Sequence, residues 1–199
     1  MTSFWWIRHA PVIGNEDCCY GNNEVECDLS DTKTFIELEK KLPENSIIIT
    51  SPLSRAIKTY LKVNSLRCLS IHRHKIDNRV TEQDLGSWAG MKYSELIKKT
   101  KKLGVFSHTW LMGFDFCPPG GESFIQLQKR VQDFLNESLR NYEKKNIIIF
   151  SHGGPIRAAI SIALNIKDKQ VLPLIIDNTK LTRIDYDIEK KSTIKFINI

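Results

Sequence analysis

This chain of 199 residues has no CxxC pair, no basic arm or tail, and no apolar run near the roughly 20 residues needed to span a membrane. Its five cysteines (Cys18, Cys19, Cys27, Cys68 and Cys117) are odd in number, and the apolar segment near the N-terminus is four residues long, too short for a signal peptide. A reducing, cytoplasmic location and the absence of a membrane partner are expected. Lys and Arg number 29 against 23 Asp and Glu, giving a net charge of +6. The excess is scattered and no basic stripe alternates with aromatics, which argues against nucleic acid and suits a small anionic substrate. The densest run, Lys98-Lys99-Thr100-Lys101-Lys102, reads as a solvated helix face. His72 and His74 flank Arg73 with alternate spacing, but without a third ligand they predict no metal site, and no cofactor is expected. His108 beside Trp110 reads as loop packing. No repeat or low-complexity linker divides the chain, so one domain over 1–199 is expected, with no oligomeric state specified.

What is present is an alternation of short apolar runs with helical periodicity, the pattern of β-α-β units and an α/β fold. Phe4-Trp5-Trp6-Ile7 predicts a first strand. Phe35, Leu38 and Leu42 mark an amphipathic helix at about 31–42, and Ile47-Ile48-Ile49 predicts a second strand. Ser51-Pro52 predicts a helix start with Ser51 as N-cap, a buried stripe of Leu53, Ala56, Ile57, Tyr60 and Leu61, and Arg55 in the first turn. A third strand is expected at 68–73. The stretch 78–119 loosens around Gly86, Gly90, Gly104 and Gly113, and a cap-like insertion is expected at about 84–121. Ser123 and Gln126 form a capping-box pattern before a helix with the stripe Phe124, Leu127, Val131, Phe134/Leu135 and Leu139. Glu122 reads as an acid favoured by that helix's dipole. Ile147-Ile148-Ile149-Phe150 predicts another strand, Pro155 starts a helix over 156–164, and final strands fall near 181–186 and 193–198.

Two of the strands end in histidine: Arg8-His9-Ala10-Pro11 follows the first, and Ser151-His152-Gly153-Gly154-Pro155 follows the run at 147–150. In an open parallel sheet the carboxyl ends of strands line one crevice, so these segments can meet. Arg8, His9, Arg55 and His152 would then sit where free backbone N–H groups and helix dipoles favour an anion, and two forked guanidinium groups match a phosphoryl group. Neighbouring cations disfavour protonation of a histidine, which leaves a lone pair for attack on phosphorus. The leaving alkoxide needs a proton. Glu82, in a loop with nearby glycines and Trp88, is the candidate donor, with Asp84 and a surface role as alternatives.

The motifs together resemble a known family. Arg8-His9-Ala10 looks like its Arg-His-Gly signature, and Ser51-Pro52-Leu53-Ser54-Arg55-Ala56 is similar to its Ser-Pro-Leu-x-Arg-Ala segment. Glu82…Gly86-Ser87-Trp88-Ala89-Gly90 resembles its Glu…Gly-x-Trp-Glu-Gly stretch, and Ser151-His152-Gly153-Gly154 its second histidine motif. The family is the histidine phosphatase superfamily, phosphoglycerate-mutase-like branch, and within it Cys19-Tyr20-Gly21 and Pro118-Pro119-Gly120-Gly121-Glu122-Ser123 look most like the α-ribazole phosphatase group. The resemblance implies a three-layer α/β sandwich around a mostly parallel sheet, His9 as nucleophile, Glu82 as proton donor, and Arg8, Arg55, His152 and Gly153 around the phosphate. It also implies phosphate or substrate contacts from Asn15, Tyr20 and Gly21. Ala10 and Ala89 depart from the family's glycine and glutamate.

The expected function is a metal-independent phosphomonoesterase acting on a small phosphorylated metabolite. A mutase is the first alternative; only seventy residues separate Glu82 from His152, and no extra basic motif lies between them to hold a second phosphate. A non-catalytic phospho-ligand binder is the second, opposed by the presence of both histidines, both arginines and Glu82.

Overall fold

A computed structural model of the chain describes residues 1–15, 17–67, 74–107, 112–166, 169–189 and 191–199. The elements run β1 (Thr2–Arg8), β2 (Cys18–Cys19), α1 (Thr32–Lys41), β3 (Ile47–Thr50), α2 (Ser54–Arg67), β4 (His74–Ile76), β5 (Met91–Lys92), α3 (Tyr93–Lys102), α4 (Phe124–Asn141), β6 (Asn146–Ser151), α5 (Gly153–Ala163), β7 (Leu181–Tyr186) and β8 (Ser192–Phe196). The strand expected at 68–73 lies outside the described residues, as do Cys68, His72, His108 and Trp110.

One six-stranded sheet has the order β4-β3-β6-β1-β7-β8. The four strands from β4 to β1 are parallel, while β7 and β8 extend the sheet antiparallel. Successive side chains of a strand point to opposite faces. Accordingly Phe4, Trp6, Ile147 and Ile149 pack with α4 and α5, whereas Trp5, Ile7, Ile148 and Phe150 pack with α1 and α2. That division explains the unbroken apolar runs, since each strand is covered on both sides. The result is the expected three-layer α/β sandwich with a mostly parallel sheet.

The helices follow their stripes with local exceptions. Phe35, Leu38 and Leu42 are buried, as are Phe124, Leu127, Val131, Phe134 and Leu135, and Ser123 with Gln126 completes a reciprocal capping box. The helix after Ser51-Pro52 begins at Ser54, two residues later than Pro52. Ser51 Oγ accepts the Leu53 N–H in a preceding bend, and Leu53 supplies the first carbonyl bonded by Ala56 and Ile57. Arg55 remains in the first turn. Leu61 is exposed and Val63 takes its place, because Ala56, Tyr60 and Val63 are spaced to share one helical face.

Residues 84–121 carry α3, β5 and a 3-10 turn at Gly86–Trp88. Leu85, Trp88, Leu96 and Met112 form a separate small cluster with Cys19, with Trp88 stacked on Phe116 at 5.2 Å. Ala89 packs against that cluster where a glutamate was the family expectation, and β5 pairs antiparallel with β2. Lys98, Lys99, Lys101 and Lys102 are exposed and Thr100 is buried, as a solvated helix face requires.

Candidate active site

Strand register brings the two histidines together. Arg8 pairs with Ser151 across β1 and β6, and the His9 N–H donates to the Ser151 carbonyl at 2.9 Å. Thr50 pairs with Phe150 on the other side of β6, and the Ser51 N–H donates to the Phe150 carbonyl. The residues just past β1, β3 and β6 therefore share one edge. The rings of His9 and His152 lie 5.1 Å apart, both fully buried.

The hydrogen bond of His9 sets its tautomer. Nδ1 lies 2.7 Å from the Ala10 carbonyl, which can only accept, so Nδ1 carries the proton and Nε2 the lone pair. Nε2 is buried with no hydrogen-bond partner among the described residues. Burial first, then Arg55 and Arg8, holds its pKa well below 6.5. The same order of causes, burial and then His9, Arg55 and Arg8, keeps His152 neutral. His152 Nε2 meets Ser51 Oγ at 2.8 Å. Ala10 is fully buried, its N–H donating to Thr59 Oγ1 at 2.9 Å, so its methyl group joins the core beneath the site.

The arginines are anchored from behind. Arg55 Nη1 and Nη2 donate to the Asn23 and Gly21 carbonyls at 2.7 and 2.8 Å, with its guanidinium 5.1 Å from the Tyr20 ring centre. Arg8 Nη1 donates to the Ile176 carbonyl at 2.5 Å. The Nε atoms of both are buried without an acceptor among the described residues. Asn178 Nδ2 donates to the His9 carbonyl at 2.8 Å and braces the strand end.

Glu82 accepts through Oε1 from the Gly154 and Gln83 N–H groups at 3.0 and 2.9 Å. The first of these is a free donor in the opening turn of α5. The loop is clamped by Arg130, which donates to the Glu82 and Arg79 carbonyls and forms a two-pronged pair with Glu122 at 2.6 and 3.0 Å. Glu122 also accepts the Asp84 N–H at 3.0 Å. Its fixed place thus depends on Arg130, a tertiary partner beyond the helix dipole. Asp84 turns its own carboxylate onto the Gly86 N–H.

These groups border a cavity of about 240 Å³ lined by Arg8, Cys19, Tyr20, Gly21, Glu82 and Gly153, with Tyr93 and Arg157 among its other walls. His9, His152 and Arg55 lie in the wall behind it, fully buried. Burial pushes Cys19 and Tyr93 up to about 12. Asn15 donates to the Ile13 carbonyl at 3.3 Å and does not line the cavity. His74 bonds Thr50 Oγ1 at 2.9 Å and lies over Tyr60, a packing role. Arg157, Tyr93 and Asn178 carry no motif of their own. Only the four-residue step from Gly153 to Arg157, one helical face, signals the first of them.

The chain is 27% identical over 151 residues to the "Bifunctional protein Rv2228c" of Mycobacterium tuberculosis, covering 76% of this chain but 40% of that protein. It thus spans about two fifths of the length of its mycobacterial relative. It is 26% identical over 156 residues to "Phosphoserine phosphatase 1" of Hydrogenobacter thermophilus, covering 77% of this chain and 70% of that one. The α-ribazole phosphatase structure from Shigella flexneri superposes with a TM-score of 0.78 over 99% of this chain and 96% of the other, at 23% identity, a likeness of fold. A model of the histidine phosphatase superfamily (branch 1) matches residues 4–199, which include both strand-end histidines and the loop of Glu82, and the chain belongs to that superfamily.

Proposed function

We propose that the chain is a phosphomonoesterase that releases phosphate from small phosphorylated metabolites, α-ribazole phosphate among the candidates, through a phosphohistidine at His9. The observation that carries this is the state of His9: Nδ1 is pinned to the Ala10 carbonyl, and the lone pair on Nε2 has no partner among the described residues and lies near Arg8, Arg55 and His152. Nε2 forms the bond to phosphorus as the ester oxygen leaves, and Glu82 gives that oxygen its proton. Water then attacks the phosphohistidine, passing a proton to the Glu82 carboxylate, while His9 departs with its electron pair. Arg8, Arg55 and His152 stabilise charge on the equatorial oxygens. The two guanidinium groups supply the neutralisation that a metal ion gives other phosphatases, with neutral His152 as a polar partner, and the reaction is proposed to need none. Gly21, Tyr20 and Gly153 shape the phosphate side of the cavity, and 84–121 acts as the cap.

The superfamily's alternatives are phosphoryl transfer back to substrate, as in a mutase, and binding without turnover. Assay of released phosphate from α-ribazole phosphate, 3-phosphoglycerate and sugar phosphates, with acid quench and mapping of labelled protein, separates them. Hydrolysis with transient label on His9 is expected. Label on another residue, or unimpaired turnover in His9→Ala, overturns the proposal, and loss of activity on EDTA treatment with recovery in Mg²⁺ overturns metal independence.

A further inference from the structure

The structure assigns Glu24 as a positioning residue for Arg55: it closes a ring of contacts that fixes the guanidinium group behind the phosphoryl position. The inference rests on the phosphatase proposal for what Arg55 binds. Arg55 is fully buried, and both of its Nη atoms donate to loop carbonyls, those of Asn23 and Gly21 at 2.7 and 2.8 Å. An anchor of this kind is only as firm as the loop that carries it. On its inner side the loop is wedged against the Glu82 segment, where a methyl group on the Gly21 Cα would stand 3.0 Å from the Leu85 side chain and 3.2 Å from the Gln83 carbonyl oxygen. On its outer side Glu24, an exposed residue, turns its carboxylate onto Ser54, which opens α2 and immediately precedes Arg55. The Ser54 N–H donates to both carboxylate oxygens at 3.1 and 3.2 Å, and the Ser54 hydroxyl donates to Oε2. The path returns to its start: α2, the Arg55 side chain, the carbonyls of Gly21 and Asn23, Glu24, and α2 again.

Two features make this contact more than a surface hydrogen bond. The first free N–H groups of a helix need an acceptor, and the usual source is the side chain just before the helix. Here Ser51 Oγ is committed elsewhere: it accepts the Leu53 N–H and meets His152 Nε2 at 2.8 Å. Glu24, 30 residues from Ser54 along the chain, takes the capping task, and a carboxylate at that end also matches the helix dipole. The second feature is charge. Burial works against the cation of Arg55, and Glu82, Tyr20 and Glu24 favour it, in that order. Glu24 thus acts on Arg55 both through the loop and through space. Glu26 is the contrast: it pairs with Lys58 Nζ at 2.5 Å, so it joins the same loop to the same helix by a surface ion pair and makes a matched control.

Glu24→Ala is expected to lower kcat/KM for nitrophenyl phosphate roughly 10- to 100-fold, the scale on which a displaced group at the reacting centre is felt, and to weaken inhibition by inorganic phosphate about tenfold. Glu24→Gln, which keeps an oxygen to accept the Ser54 N–H, should recover part of this, and Glu26→Ala should change it less than about threefold. The deciding measurement is the double variant. In an Arg55→Ala background, or Arg55→Lys where the alanine variant does not fold, Glu24→Ala should cost less than about a further twofold, because the guanidinium group it positions is gone. Losses that multiply in the double variant would show that Glu24 acts on general stability and overturn the inference. So would unchanged kinetics in Glu24→Ala, or an equal loss in Glu26→Ala. Thermal denaturation confirms that each variant is folded at the assay temperature. If the protein hydrolyses no ester, calorimetric titration of the same variants with inorganic phosphate reads the same coupling. In that case the phosphatase proposal fails while the positioning of Arg55 stands or falls on its own, and failure of the unaltered protein to bind phosphate overturns both.

Discussion

The Gly154 N–H donates to Glu82 Oε1 at 3.0 Å, and a methyl group placed on the Gly154 Cα would lie 2.3 Å from that same oxygen. The glycine therefore does two things at once: it offers its own free N–H in the first turn of α5 to the carboxyl group and leaves room for the carboxyl group to reach it. Gly154→Ala is expected to displace Glu82 and reproduce the signature of Glu82→Gln. An alkyl phosphate, whose alkoxide needs a proton in the transition state, should lose roughly 10²–10⁴-fold in turnover when the acid is removed, and nitrophenyl phosphate much less. Parallel losses on both esters would mark Glu82 as electrostatic or structural.

Arg55 is predicted to be split between catalysis and support. It holds the Gly21 and Asn23 carbonyls, and its buried Nε has no hydrogen-bond partner among the described residues. Arg55→Ala should cost about 2–4 kcal/mol of transition-state stabilisation, the range for one preorganised donor. It should also lower the melting temperature, because the Gly21 and Asn23 carbonyls lose their donor. Intact kinetics with reduced stability would make the residue purely structural.

Arg130 and Glu122 act through the loop of Glu82 and are predicted to be positioning residues. Arg130→Gln removes the donors to the Glu82 and Arg79 carbonyls. A kcat loss of roughly tenfold is expected on alkyl phosphates, less than removal of the acid itself. Nitrophenyl phosphate, which does not need the proton, should be almost unaffected, and that contrast separates misplacement of the acid from a general loss of fold.

Acid should destabilise the protein over a defined window. His9 and His152 are both held well below 6.5 in the folded state, burial being the largest cause for each. The unfolded chain takes up protons near that value which the folded chain refuses. Their contribution is therefore complete above pH 6.5 and lost as the pH falls below it, by up to about 1.4 kcal/mol per pH unit for each histidine. Thermal melts between pH 7.5 and 5 should show a falling Tm, with a shallower slope in His152→Gln. Equal slopes for the two proteins would show that His152 does not titrate as its burial demands.

The local signals of this sequence were strong where a residue's behaviour depends on its neighbours in the chain. Unbroken apolar runs marked β1, β3 and β6 as strands covered on both faces, and apolar spacing marked α1 and α4. Strand-end position pointed to Arg8, His9 and His152, the first turn after Ser51-Pro52 to Arg55, and motif resemblance to Glu82. Tertiary structure decided the rest. Ser51 read as a helix cap, yet its hydroxyl meets His152, and the helix starts only at Ser54. Glu122 read as an acid stabilised by a dipole, yet it is paired to Arg130 and holds Asp84. Asn178 and the carbonyls of Leu174 and Ile176, which fix His9, Arg157 and Arg8, come from a stretch with no periodicity or motif. A hydrogen-bond partner across the sheet edge is set by strand register, which is a relation between distant segments. The sequence of either segment alone does not contain it.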